Sequence, residues 1–117
     1  RTTVRIKTSD LKATIERALL FADSSNGKPR LFPIDVHITC DKLAIFIQSM
    51  RGRFDETILA ETTGEDLNIR LNPKQLNEVL RHIEDDEIFL KFSGSLNPCI
   101  ISPVEGDKFL YVMSAVK

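Results

Sequence analysis

Tryptophan is absent from this sequence, tyrosine occurs once, and no apolar run approaches the roughly 18 to 20 residues that cross a bilayer. The N-terminal stretch has no charged segment followed by a hydrophobic run and a cleavage site, so a cytoplasmic location without a membrane partner is expected. Cysteine is scarce. Cys40 and Cys99 are far apart, neither has companions at metal-ligand spacing, and neither sits beside a histidine. Both fit a reducing compartment and read as small apolar strand residues rather than redox or metal groups. Charge of one sign is lacking as well: 16 Lys and Arg against 17 Asp and Glu leave a formal net charge of -1. That balance excludes a protein gripping nucleic acid by overall charge, so any DNA role must be local or topological. Phosphate-binding glycine loops and dinucleotide fingerprints are missing too. His37 and His82 have no spacing that pairs them with a nucleophile or metal partner, and Glu84-Asp85-Asp86-Glu87 reads as a solvated turn rather than a cation cage. No cofactor, metal or catalytic residue is expected.

What the sequence does contain is one domain's worth of core: 117 residues, 42% hydrophobic and 28% charged. It also contains a repeat. Setting Val4, Arg5 and Ile6 against Ile69, Arg70 and Leu71 fixes an offset of sixty-five positions. At that offset Leu11, Thr14, Ile15 and Ala18 fall on Leu76, Val79, Leu80 and Ile83, an apolar spacing of three and four in both copies. Each copy, about residues 2–63 and 66–117, therefore opens with a short strand leading into an amphipathic helix. Thr8, Ser9 and Asp10 supply start signals for a helix from about Asp10 to Ala22, and Asn72-Pro73 for one from about Pro73 to Ile83. Strand-like runs follow each helix: Leu31 to Thr39, Lys42 to Gln48 and Arg53 to Thr62, then Glu87 to Phe92, Pro98 to Ser102 and Phe109 to Val112. The polar stretch Asp23 to Phe32 is expected to be a surface loop. The fold class is α+β: two pseudo-symmetric strand-helix-three-strand units, with both helices on one face of a sheet.

Projected at about 100° per residue, the second helix leaves Lys74 and Arg81 nearly superimposed opposite its apolar stripe. On the first helix Lys12 and Arg17 flank the exposed side, with Glu16 between them. Leu20 projects away from the Leu11, Ile15 and Ala18 stripe with Phe21 at its flank, so an exposed Leu-Phe pair is expected near the helix end, a feature of protein interfaces. The last residues, Phe109 to Lys117, are apolar up to the final position and read as a core strand or as a strand whose end also lines a groove.

Leu71-Asn72-Pro73-Lys74-Gln75-Leu76, Glu87-Ile88-Phe89-Leu90-Lys91-Phe92, Pro98-Cys99-Ile100-Ile101 and Tyr111-Val112-Met113 resemble the C-terminal (third) domain of bacterial DNA polymerase III beta subunits, the replicative sliding clamps. The resemblance covers essentially the whole chain. It implies the DNA-clamp fold and a three-domain subunit forming a head-to-tail homodimer that encircles double-stranded DNA without reading its sequence. Such a processivity factor is not itself an enzyme, but an accessory subunit of the polymerase. It tethers the DNA polymerase III alpha subunit, the clamp loader and other proteins carrying clamp-binding motifs. By the same resemblance Lys12, Arg17, Asn72, Lys74, Gln75 and Arg81 face the DNA. Leu20, Phe21, Asp55 and Glu56 meet the second protomer, and the strand from Arg53 to Thr62 forms the edge continuing a sheet across that interface. Val112, Met113, Ser114, Ala115, Val116 and Lys117 form one wall of the partner-peptide pocket. Ser114, Ala115 and Lys117 depart from the larger apolar residue, proline and arginine that the family usually has there. The residues alone also leave open a stand-alone α+β protein-interaction module using the Leu20-Phe21 surface without a DNA ring.

Overall fold

The computed structural model describes residues 1–26, 33–49, 52–106 and 108–115, the side chains of 22–26 and 49 excepted. The chain runs β1 (Thr2–Lys7), α1 (Thr8–Asn26), β2 (Ile34–Thr39), β3 (Lys42–Ser49), β4 (Gly52–Leu59), β5 (Glu61–Gly64), β6 (Leu67–Leu71), α2 (Pro73–Arg81), β7 (Glu87–Phe92), β8 (Cys99–Pro103) and β9 (Tyr111–Met113). The α+β class stands. The strands, however, divide between two antiparallel sheets instead of one, in the orders β5-β1-β7-β8-β9 and β4-β3-β2-β6.

Each half of the chain lends its opening strand to the other half's sheet. β1 pairs with β7 through Val4↔Leu90 and Ile6↔Ile88, while β6 pairs with β2 through Ile69↔Val36 and Leu71↔Ile34. Period-2 alternation makes this possible, because Val4, Ile6, Ile69 and Leu71 all turn inward into one core. The helices meet that core with the same logic. Leu11, Ile15 and Ala18 on α1 and Leu76, Leu80 and the adjoining Ile83 are buried together, and the two helices lie against each other. A 3.6-residue period cannot bury more than this stripe, so the opposite faces are left to water.

Several boundaries differ from the sequence expectation, each for a local reason. Helix α1 starts two residues earlier than Asp10 and continues to Asn26, taking in part of the stretch expected to be loop. Ser24, Ser25 and Asn26 are weak helix formers but not breakers, and the first strong stop in the sequence is Gly27. The rest of the expected loop, and the first two residues of the strand expected from Leu31, lie outside the described residues. Helix α2 ends at Arg81, two residues short of Ile83, with a tightened last turn in which His82 N–H donates to Val79 O and Ile83 N–H to Leu80 O. The run Arg53 to Thr62 is two strands, not one. It breaks at Ala60, whose N–H donates to Asp41 O, and Thr62 is then tied to the Asp41 backbone and side chain, which carries the chain to the edge of the other sheet. Asp41 holds φ 58° at the β2–β3 turn, a left-handed conformation that aspartate tolerates.

Asn72 shows how sequence sets local structure. Its backbone is extended, and its Oδ1 accepts from Lys74 N at 2.9 Å and Gln75 N at 3.3 Å, while Pro73 fills the first helical position where no donor is needed. Replacing Asn72 with alanine strands these donors and is expected to destabilise the fold by about 1 kcal/mol, read by denaturant unfolding. Glycine at the same position should recover most of the loss, because it too is tolerated at the cap.

Candidate functional site

Three surfaces carry the residues singled out in the sequence. The first is the solvent side of the helix pair. Lys74, Gln75 and Arg81 are exposed and Lys12 is half-buried. Arg81 makes only a surface pair with Glu78, 3.2 Å away and three residues back on α2, which water screens readily. Lys12 and Lys74 have no carboxylate partner among the described residues. Asn72 is half-buried with its side-chain oxygen committed to the helix cap. Arg17 departs from the expected arrangement. Its guanidinium grips Glu56 on β4 through two hydrogen bonds, Nε to Oε2 at 2.8 Å and Nη2 to Oε1 at 2.6 Å, and is not presented freely on the helix face. The hydrogen bond from Arg17 holds the Glu56 carboxyl below the usual glutamate range despite its partial desolvation. Opposite charge 2.6 Å away and a planar fork matched to a carboxylate are the physical reason.

The second surface is the corner where α1 meets β4. Leu20 is 69% exposed, as its projection requires. Phe21 is not exposed alongside it. Its ring is half-buried, 5.9 Å from Phe54 on β4 and packed against the core. The 100° step from Leu20 turns Phe21 toward the sheet, so the exposed pair reduces to one leucine. β4 is an edge strand whose faces differ. Phe54, Glu56 and Ile58 turn toward α1, whereas Arg53, Asp55, Thr57 and Leu59 are exposed on the other face. Asp55 pairs with Arg53 at 3.1 Å, and Arg53 also lies 5.4 Å from the centre of the Phe46 ring. Asp55 and Glu56, expected together at an interface, thus lie on opposite faces. The Phe54 contact was missed in the sequence, although the alternation Phe54, Glu56, Ile58 signals a face turned toward another element.

The third surface is β9 and the residues after it. Val112 is 57% exposed and Ser114 is exposed, but Met113 is fully buried opposite Cys99 on β8 and Ala115 is packed against the core. Met113 therefore cannot line an open pocket wall: alternation along a three-residue strand turns it inward when Val112 turns outward. Val116 and Lys117 lie outside the described residues. Leu110, 64% exposed, adds apolar surface beside Val112.

The remaining candidates are structural. Cys99 is buried and its thiol is pushed up to about 12 by that burial, which keeps it protonated and unreactive. Cys40, expected in a strand, is an exposed turn residue, displaced there because β2 ends at Thr39. His37 packs against Phe46 in a tilted ring contact, 4.6 Å between ring centres. Of the acidic run, Asp85 pairs with Lys108 at 2.8 Å and Glu87 with Arg5 at 2.8 Å, while the Asp86 carbonyl accepts the Thr8 N–H. Among the described residues no three acidic, histidine or cysteine side chains converge as a metal site, and no helix is long and apolar enough to cross a membrane.

The sequence profile of the family described as DNA polymerase III beta subunit, C-terminal domain, matches residues 1–117. The beta sliding clamp of Halalkalibacterium halodurans is 27% identical over 124 residues, an alignment that takes in all of this chain and 30% of that protein. Among solved structures, a putative DNA polymerase III beta subunit from Eubacterium rectale superposes with a TM-score of 0.88 at 34% identity, covering 98% of this chain and 30% of that one. The DNA polymerase III beta subunit of Thermotoga maritima gives a TM-score of 0.89 at 26% identity, covering 99% and 30%. The chain thus spans about 30% of the length of the relatives it matches.

Proposed function

We propose that this chain, which belongs to the family of C-terminal domains of DNA polymerase III beta subunits, is the third domain of a ring-shaped sliding clamp, a processivity factor that encircles double-stranded DNA and catalyses nothing itself. Its role is to help tether DNA polymerase III and other replication and repair proteins, in the cytoplasm. Residues 1–117 form one domain of two copies, about 2–63 and 66–117, a division supported by the matching element order and by the reciprocal exchange of β1 and β6. Carrying the DNA reading is the helix pair, whose apolar stripes are buried together while Lys74, Gln75 and Arg81 stay exposed. Long cationic side chains on a rigid helix face suit loose contact with a phosphate backbone, where no base needs to be read.

Leu20 and the edge of β4, with Asp55 facing outward, form the surface that closes the ring against a second protomer. Val112, Ser114 and Leu110 present the apolar and polar groups on which a linear partner peptide, from the polymerase alpha subunit or the clamp loader, would dock. In the full-length protein, Lys74→Glu combined with Arg81→Glu is expected to shorten retention of the loaded ring on nicked circular DNA. The slope of log affinity against log salt should also fall by about 1 for each phosphate interaction removed. Retention and slope unchanged at physiological salt would remove the helix face from the DNA.

A further inference from the structure

Alone among the ion pairs of the described residues, Arg17–Glu56 joins a helix to a strand. It does so with both carboxylate oxygens engaged, at 2.8 and 2.6 Å, and with Thr14 Oγ1 3.4 Å from the same guanidinium. One helical turn further along α1, Phe21 packs on Phe54, which precedes Glu56 by two on the same face of β4. Two contacts in register, one ionic and one aromatic, therefore fix α1 against an edge strand. Leu20 lies between Arg17 and Phe21 in the sequence, and it is 69% exposed.

We propose that Arg17 is a positioning residue of the ring-closing surface and not a DNA contact: by gripping Glu56 it sets Leu20 on α1 and the free edge of β4 in the one relative placement a second protomer can cover. This rests on the interface reading given above. A surface built from two elements binds well only if their relative position is settled beforehand, since ordering them during association subtracts from affinity. Glu56 already neutralises Arg17 and occupies its Nε and Nη2, so a phosphate reaching the remaining Nη1 donors would meet a carboxylate held on the same guanidinium, and taking the fork itself would leave Glu56 without its partner. Glu56 is turned toward α1, so of the two acidic residues expected at the interface Asp55, which pairs with Arg53 on the exposed face of the same strand, is the one turned outward to meet the other protomer.

The test uses the full-length protein, with dimer dissociation measured by sedimentation over a dilution series and DNA binding measured against salt. Arg17→Ala and Glu56→Ala are each expected to weaken dimer association about threefold or more. The exchanged pair Arg17→Glu with Glu56→Arg should restore most of it, and Arg17→Ala should leave the salt slope of DNA binding unchanged when assayed well above the dissociation concentration. If the exchanged pair does not fold, a cycle with Arg17→Ala, Glu56→Gln and both together should show losses smaller in combination than their sum. Unaltered association in Arg17→Ala, or a salt slope lowered by about 1, would overturn the assignment. Leu20→Asp separates the two levels: if it dissociates the dimer while Arg17→Ala does not, only the positioning role fails. If neither has an effect, the interface reading falls and this inference with it.

Discussion

Substituting Leu20 with aspartate in the full-length protein is expected to turn a dimer into monomers while leaving the fold intact. Leu20 is 69% exposed and points away from the buried stripe of Leu11, Ile15 and Ala18, so its own domain gains little from it. A change at such a site alters folding stability by roughly 0.5 kcal/mol at most. At a ring-closing interface the same side chain would be an apolar anchor surrounded by the partner, and replacing it with a carboxylate removes that anchor and buries an unpaired charge. The combined loss is about 2–4 kcal/mol of association, a weakening of roughly 30- to 1,000-fold. Sedimentation over a dilution series should show the dissociation constant raised by that factor, with an unchanged melting temperature. An unchanged dissociation constant would place Leu20 outside the interface.

The course of the chain was legible in the sequence wherever a single period governed it. Leu11, Ile15 and Ala18, with Leu76, Leu80 and Ile83, announced the two helix faces, and all are buried. β7 runs from Glu87 to Phe92, as its alternation indicates. What could not be read was pairing. Whether β1 lies beside strands of its own half or beside β7 depends on contacts between residues as far apart as Thr2 and Phe92, which leave no local trace. The same holds for the candidate surfaces. Helical projection placed Leu20 and Lys74 correctly in solvent, but an element's outward face says nothing about which neighbour will cover part of it. Arg17 and Phe21 sit on the flank of α1, and β4 claims both through Glu56 and Phe54. Met113 followed the strand rule that Val112 also obeys, and treating the C-terminal stretch as one wall overlooked that alternation.

Leu80→Ala tests the exchange of strands directly. Leu80 is fully buried on α2 and belongs to the single core that spans both sheets. Truncating it removes apolar area and leaves a cavity, at a cost of about 2–5 kcal/mol, or a fall in melting temperature of roughly 10 °C or more for a domain of this size. Where that loss is felt is the more informative part. If the halves were independent units, hydrogen-exchange protection would fall in β7 and β8 and persist in β2 and β3. Here β6, which leads directly into α2, is an edge strand of the sheet containing β2, and β1 sits between β5 and β7 in the other sheet. Freeing either half means pulling a strand from both sheets, so protection in β2–β3 and β7–β8 should drop together and the chain should unfold in one transition. Loss confined to the second half would mean that the exchanged strands contribute little to cohesion, and that the helices alone hold the two halves together.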